Sequence, residues 1–578
     1  MFESLSHKQR EIVFDKSGRF VVRACPGSGK TYCVSARLAR LILDWRKGYE
    51  GIAAVSFTNV AWQEIEKKYS EEFQVGDKIS FPHFLGTIDS FINKFIFLPY
   101  GHLVLKCKNR PILVGEPHGI WSGGRYERDP NQYFDVCSFD INDELFPTGN
   151  PQSFHFSWKN NNDGSINGNV INLLAAKKSL LEKGYANQAD ANYFAMKTLE
   201  AFPSIARAIA HRFPYLIVDE AQDTSAIQMR VIDLLIENGL NQIMLVGDPD
   251  QAIFEWNDAR PDLLNQKFNA WENSVVLNES RRSSQLICNF TYNVSSLEEP
   301  SSAVSKEVKD FNHQPKIIIY ENNLPQLVAD FITECEQNGI VANEESVAVI
   351  YRSKNLINDI TGIPEVPYNS YPWLTYEDYT KDFAKGKFLY DNGDFKGGFK
   401  AIEKAILKQV RNLPFCSEET IDEMIKKIGF VKFKSHVFGF INLLTKTDTT
   451  LGNWIIATNK MLTENKINFQ LNINIAGANY SFNQVFLNES EKITDRNYRL
   501  GTVHSVKGET FDATLLILKT KGIGKAYKTI LRENISISEC EEMRIAYVGM
   551  TRPRKILVIA VPNQENKTVW ENKLNGNH

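Results

Sequence analysis

Residues 24–31 read Ala-Cys-Pro-Gly-Ser-Gly-Lys-Thr, a run suited to holding a polyphosphate. Gly27 and Gly29 carry no Cβ, so backbone N–H groups can curl round an anion. Lys30 is placed to reach the β- and γ-phosphates, and the Thr31 hydroxyl to ligate Mg²⁺. Ala24 stands where the general pattern begins with Gly, and Cys25, Pro26 and Ser28 complete the loop. A second set is Asp219-Glu220. Asp219 suits Mg²⁺ through water, and Glu220 suits polarising an attacking water, because phosphoryl transfer is mostly positioning and charge neutralisation. A third block runs Val246-Gly247-Asp248-Pro249-Asp250-Gln251 and reaches Phe254 and Trp256. Gln251 is a neutral donor and acceptor able to sense a γ-phosphate. Phe254 and Trp256 share a face if extended, which suits base stacking at ~1–3 kcal/mol per base. Taken singly, each set has a plainer reading: a Gly-rich turn, an acidic helix cap, a pair of core aromatics.

Elements must hold these groups in place. The apolar run Phe20-Val21-Val22 precedes the loop and an amphipathic stretch from Tyr32 to Leu43 follows it. That is strand, loop and helix, with the helix directing its positive end at the anion. Tyr215-Leu216-Ile217-Val218 runs into the two acids, which puts them at the carboxyl edge of a parallel sheet, where doubly wound folds bind ligands. Strand-like runs at 20–23, 52–57, 215–219 and 242–246 alternate with helical stretches. A second series at 274–277, 316–320, 346–351, 513–519 and 556–561 has the same character. The fold class expected is α/β, with two doubly wound parallel-sheet cores and a nucleotide in the crevice between them. The gap from Lys30 to Asp219 exceeds what crossovers need, so each core carries a mostly helical insertion. The boundaries expected are 1–96 plus 206–273 for the first core and 97–205 for its insertion. The second core takes 274–364 plus 498–578, and its shorter insertion 365–497. Residues 159–164 read as a solvent loop. Residues 426–434 interleave lysines with aromatics, either to track DNA or as a half-buried strand or helix end with its lysines reaching water.

The 578 residues suffice for about three or four domains. A hydrophobic share of 43% and a charged share of 23% describe an ordinary globular chain. Net charge is −3, so a DNA-binding role requires basic residues concentrated in a groove. Eight scattered cysteines without a CxxC pair argue against a zinc ribbon, an iron–sulfur cluster or a disulfide framework. His155 and His436 have no partners at ligand spacing. The N-terminus lacks a basic-then-apolar signal and no apolar run is long enough to span a membrane, so a cytoplasmic protein is expected.

The ordered set of motifs resembles the UvrD/Rep/PcrA group of superfamily 1 DNA helicases, over nearly the whole chain. Leu5-Ser6-His7-Lys8-Gln9 is similar to the adenine-reading segment, with Gln9 on the base. Arg37 matches a nucleotide-contacting arginine. Ala54-Val55-Ser56-Phe57-Thr58-Asn59 and Gly86-Thr87-Ile88-Asp89-Ser90-Phe91 resemble segments that touch single-stranded DNA, although Asp89 stands where His is usual. Leu277-Asn278-Glu279-Ser280-Arg281-Arg282-Ser283 resembles the arginine motif of the second core, with Arg282 as its arginine; Arg281 replaces a usual Tyr. Gly501-Thr502-Val503-His504-Ser505-Val506-Lys507-Gly508 and 541–552 look like the last two motifs, ending in Arg552. Either Glu509 or Thr510 takes the last nucleotide contact, because the usual Leu-Glu-Phe is Glu509-Thr510-Phe511 here.

The resemblance implies two RecA-like cores of the P-loop NTPase type. It implies ATP and Mg²⁺ as cofactors, with catalysis by Lys30, Asp219, Glu220, Gln251, Arg282 and Arg552. The strand would be gripped by Phe57, Thr58, Asn59, Thr87, Phe254, Trp256 and His504, with travel from 3′ to 5′. Two functions follow: an ATP-driven translocase or helicase on single-stranded DNA, or a nucleotide- and DNA-sensing regulatory subunit of a nuclease complex. The short second insertion and Lys507-Gly508-Glu509-Thr510 look like the helicase-like subunit of Gabija anti-phage defence, whose partner is an OLD-family nuclease. The chain shows no convincing metal-dependent nuclease motif, and a small-molecule kinase or transporter ATPase explains neither the 251–256 block nor the paired late arginines.

Overall fold

The computed structural model describes residues 2–115, 118, 137–147, 168–253, 259–320, 323–352, 356–363, 372–374, 379–411, 418–486, 496–518, 530–531 and 535–574. The chain forms two compact units. One comprises Met1–Pro315, Lys525–Lys555 and Val569–His578; the other comprises Lys316–Gly524 and Ile556–Thr568.

The first unit is built on six parallel strands: β1 Arg19–Ala24, β2 Ile52–Ser56, β3 Phe84–Thr87, β4 Tyr215–Val218, β5 Gln242–Gly247 and β6 Val275–Leu277. Their order is β6-β1-β5-β4-β2-β3. Near-continuous apolar runs are what a parallel sheet covered on both faces requires. Successive residues point to opposite faces, and the two cores divide accordingly. Phe20, Val22, Ile52, Ala54, Ile217 and Val246 pack on Cys33, Val34 and Leu38 of helix α1, Lys30–Asp44. Val21, Ala53, Val55, Leu216, Val218 and Leu245 pack on the opposite side with Phe91, Phe97, Leu199 and Ile232. Because every strand runs the same way, the segments after β1, β2, β3, β4, β5 and β6 emerge along one edge. The run 274–277 was expected in the second core; β6 instead pairs with β1, Val22 beside Val275. Its short apolar stretch carries nothing that distinguishes one parallel sheet from another.

The first insertion is pinned by a buried ion pair. Lys177 Nζ lies 2.6 Å from Asp190, which also accepts from Ser138 Oγ at 2.8 Å and from the Asn187 N–H at 2.9 Å. Residues 155 and 159–164 lie outside the described residues.

The second unit holds strands β7 Lys316–Ile319, β8 Val347–Tyr351, β9 Arg499–Thr502, β10 Phe511–Ile517 and, from Ile556 on, β11 Pro553–Val561, in the order β7-β11-β10-β8-β9. Its insertion is helical, with helices at Tyr379–Asp391, Phe395–Arg411, Glu418–Ile428, Phe430–Leu443 and Leu451–Glu464. The 426–434 stretch spans two of these helices, which break at Gly429, where φ is +90°. Phe433 is buried, Lys434 pairs with Glu403, and Lys426, Lys427 and Lys432 face water. The plainer reading of that stretch fits its structure. His436 is exposed on the same helix. Among the described residues no helix is long and apolar enough to cross a membrane, and no cluster of metal-ligating side chains forms.

Candidate nucleotide site

The turn after β1 is anchored at its start, where the Cys25 N–H donates to Leu277 O at 3.0 Å. It then closes on itself through Ser28 N–H to Cys25 O at 3.2 Å. Gly27 and Gly29 have φ of +74° and +78°, a region that favours glycine. Space imposes the same choice at Gly27: a Cβ there would lie 2.5 Å from the Cβ of Arg282. Helix α1 begins at Lys30, so its positive end faces the turn. Ala24, Cys25, Pro26 and Ser28 are buried, and the Ser28 Oγ has no hydrogen-bond partner. An orphaned hydroxyl of that kind is costly unless something else meets it.

Asp219 and Glu220 follow β4 directly. The Thr31 hydroxyl donates to Asp219 Oδ2 at 3.4 Å, and Lys30 Nζ lies 3.6 Å from Glu220 Oε2. Glu220 has φ of +52°, a strained conformation for a side chain with a Cβ. Gln222, fully buried, joins two strand ends: its Nε2 donates to Glu220, and its Oε1 accepts the Asp248 N–H at 3.1 Å. Gln251 Nε2 donates to Asp248, while its Oε1 accepts from Arg552 Nη2 at 3.1 Å. Arg552 also donates through Nε to Val548 O at 2.9 Å, and Arg282 Nη1 donates to Thr551 O at 3.0 Å. The two arginines were expected from the second core; both pack within the first unit. Gln222 and Asp248 carry no expected role from sequence, although Asp248 lies within the 246–251 block and Gln222 two residues past Glu220.

Charge is crowded here. Burial lowers the Arg282 guanidinium to about 10. Burial first and Arg282 second push Arg552 well below the arginine range. Burial works against the Lys30 ammonium, but Glu220, Asp248 and Asp219 together raise it. Burial, then the neighbouring Glu220, raises Asp219 to about 7; burial raises Asp248 to about 6. A carboxyl raised in the folded state binds its proton more tightly than the unfolded chain does, so stability falls as pH climbs through the interval. Thermal unfolding of the nucleotide-free protein should therefore drop from pH 4 to pH 7 relative to Asp219→Asn. Parallel melting curves for the two proteins over that range would refute the assignment.

Two residues expected to contact the nucleotide are bonded to protein groups in this structure. Arg37 is buried in α1: its Nε donates to the Tyr215 hydroxyl at 2.8 Å, and its terminal nitrogens to Ile12 O and Lys16 O. It braces α1 against β4 and the N-terminal segment. Gln9 is fully buried, its Nε2 donating to Ser28 O at 3.2 Å and its Oε1 accepting from Arg281 Nη2 at 2.9 Å. Its amide supports the loop from beneath. Glu509 belongs to the second unit and pairs with Arg499 at 3.3 Å.

Of the expected DNA contacts, Phe57 is partly buried, and Thr58 and Asn59 are exposed just beyond β2. The Thr58 hydroxyl caps helix α2, Asn59–Glu71, accepting the Ala61 N–H at 3.2 Å. Thr87 caps the helix Ile88–Ile92 in the same way, and Asn59 Oδ1 accepts from Trp62 Nε1 at 3.0 Å. Asp89 is tied inward by the Asn192 and Gln228 amides at 2.9 and 2.8 Å. Phe254 and Trp256 lie outside the described residues; His504 is partly buried in the second unit.

Residues 5–111 and 131–271 match the UvrD/REP helicase N-terminal domain, and residues 455–564 match the UvrD-like helicase C-terminal domain. A probable DNA helicase II homolog of Mycoplasma capricolum is 23% identical over 461 residues, covering 76% of this chain and 60% of the relative. The ATP-dependent DNA helicase PcrA of Leuconostoc citreum is 27% identical over 293 residues, covering 49% of this chain and 38% of the relative. A probable DNA helicase II homolog of Mycoplasma pneumoniae is 22% identical, covering 98% of this chain and 86% of the relative.

Proposed function

We propose that the chain, which matches the UvrD/REP helicase N-terminal domain and the UvrD-like helicase C-terminal domain, is an ATP-driven motor on single-stranded DNA. The observation that carries this reading is the convergence of Lys30, Glu220, Gln251, Arg282 and Arg552 on the Gly27–Gly29 turn. Three cations and an orphaned Ser28 hydroxyl fit a polyphosphate. Lys30 and the arginines bind its outer oxygens and neutralise charge that grows in the transition state. Glu220 orients the attacking water and takes its proton. Gln251 touches both Arg552 and Asp248, so its amide reports the γ-phosphate to the segment leading to Phe254 and Trp256. Thr31 Oγ1 and Asp219 Oδ2 would hold Mg²⁺ through oxygen ligands of the kind it prefers, and the ion would supply charge neutralisation to the polyphosphate.

The strand path comprises Phe57, Thr58, Asn59, Thr87, Phe254, Trp256 and His504, with 3′-to-5′ travel from the family resemblance. The insertions 97–205 and 365–497 are its accessory domains, and the cytoplasm its setting. ATP hydrolysis should rise several-fold with a single-stranded oligonucleotide and vanish in Lys30→Ala. A folded wild type indifferent to DNA would refute the motor. A second reading rests on Lys507-Gly508-Glu509-Thr510 and the short second insertion: a DNA-sensing subunit of an anti-phage complex with an OLD-family nuclease. Co-purification with such a nuclease, and DNA-stimulated hydrolysis without strand displacement on a 3′-tailed duplex, would favour it.

A further inference from the structure

Between Asp89 and Glu116 the chain has no acidic residue, yet it carries Lys94, His102, Lys106, Lys108 and Arg110. In a protein with 66 basic and 69 acidic side chains, that bias is local and needs a reason. The fold gathers part of it. A cavity of about 330 Å³ is lined by Leu98, Pro99, His102, Lys108, Asn109 and Arg110. Leu98 and Pro99 of the short helix Leu98–Tyr100 give it an apolar side, and His102 with the loop residues Lys108, Asn109 and Arg110 a polar wall.

The loop is held at both ends. Helix His102–Leu105 stops at Lys106, whose φ of +57° turns the chain sharply at a residue with a Cβ. Beyond the loop, Ile112–Leu113 pairs with Tyr185–Ala186, and Ile112 N–H donates to Gly184 O at 2.8 Å. Within it, Cys107 Sγ donates to Asn109 O at 3.1 Å. Lys108, Asn109 and Arg110 are exposed on this braced loop. Surface lysines and arginines commonly gain a carboxylate neighbour; here the flanking sequence offers none. Among the described residues no carboxylate pairs with Lys108 or Arg110; exposed cations around a concavity suit an anion with several oxygens, and the planar Arg110 fork matches a phosphate edge. The wall also has an amide, from Asn109, able to donate to a phosphate oxygen or sugar.

We propose that His102, Lys108, Asn109 and Arg110 form a second phosphate site, separate from the nucleotide turn, that takes backbone phosphates of the DNA. The identity of the carrier rests on the motor reading above; the phosphate chemistry does not. Each phosphate neutralised contributes roughly 0.9 to the slope of log affinity against log salt on duplex DNA.

The test is binding of a 3′-tailed duplex by fluorescence anisotropy across a salt series, with wild type and Lys108→Ala/Arg110→Ala. The double variant should bind more weakly and lose roughly 2 from the slope. Lys108→Glu/Arg110→Glu should bind more weakly still, and basal ATP hydrolysis and circular dichroism should match wild type in both. Equal affinity and slope in wild type and variants would overturn this site while leaving the motor intact. Equal DNA binding combined with loss of pyrophosphate binding in calorimetry would overturn the DNA assignment in favour of a free phosphate. No DNA binding by wild type would remove the motor reading and the carrier together.

Discussion

Glu220→Gln should leave nucleotide affinity near wild type while lowering kcat for ATP hydrolysis by about 10²–10⁴-fold, the range for loss of a positioned proton acceptor. The amide has the size of the carboxylate and keeps an oxygen, so it still accepts from Gln222 Nε2 and still fits beside Lys30. It cannot take a proton. The backbone supports this choice of residue, since Glu220 holds φ at +52° straight after a strand whose four residues are buried. Strain of that kind costs of order 1–3 kcal/mol and persists where the surroundings over-determine it. Gln222 supplies the constraint here, tying Glu220 to the Asp248 turn of β5. Single-turnover hydrolysis and titration of a fluorescent nucleotide analogue separate chemistry from binding. A fall below about tenfold would place the base elsewhere. Lys30→Ala differs in kind, because it removes an ammonium that three carboxylates stabilise and should weaken binding as well.

What could be read from the amino-acid string follows from how local each constraint is. The phosphate turn is a run of contiguous residues with a strand before it and a helix after, so Gly27, Gly29, Lys30 and Thr31 were legible without any tertiary knowledge. Asp219-Glu220 were legible for the same reason, as the polar end of an apolar run. Arg37 was not. It lies on the buried face of α1 and is satisfied by a tyrosine hydroxyl from β4 and by two carbonyls of the N-terminal segment, and no local pattern announces such partners. Gln9 stands in a contiguous motif, yet its amide partners, Ser28 O and the Arg281 guanidinium, lie far along the chain and spacing does not name them. β6 was assigned to the wrong core because three apolar residues fit either sheet, and only pairing with β1 decides. Thr58 and Thr87 are exposed or partly exposed, as a DNA contact requires, yet each caps a helix, a second duty that sequence spacing alone allowed but did not name.

Arg282→Ala should separate stability from activity in opposite directions. Both guanidiniums are buried away from screening water, and Arg282 adds to the burial that pushes Arg552 down. Removing one relieves the other, at the cost of a single hydrogen bond to Thr551 O. Thermal stability without nucleotide should therefore hold or rise. A bound triphosphate reverses the balance, since the same two cations then face several negative oxygens. Loss of an arginine at a transferring phosphate lowers kcat by about 10³–10⁵-fold in related enzymes, and that range is expected here. The rise in melting temperature on adding nucleotide should shrink in step, because binding energy that distinguishes folded from unfolded chain has been removed. Arg282→Lys keeps the charge without the planar fork and should fall between the two. If Arg282→Ala melts earlier than wild type and hydrolyses ATP within about tenfold of it, the side chain is an anchor for the 551–552 turn, and the cation completing the phosphate pocket is Arg552 alone.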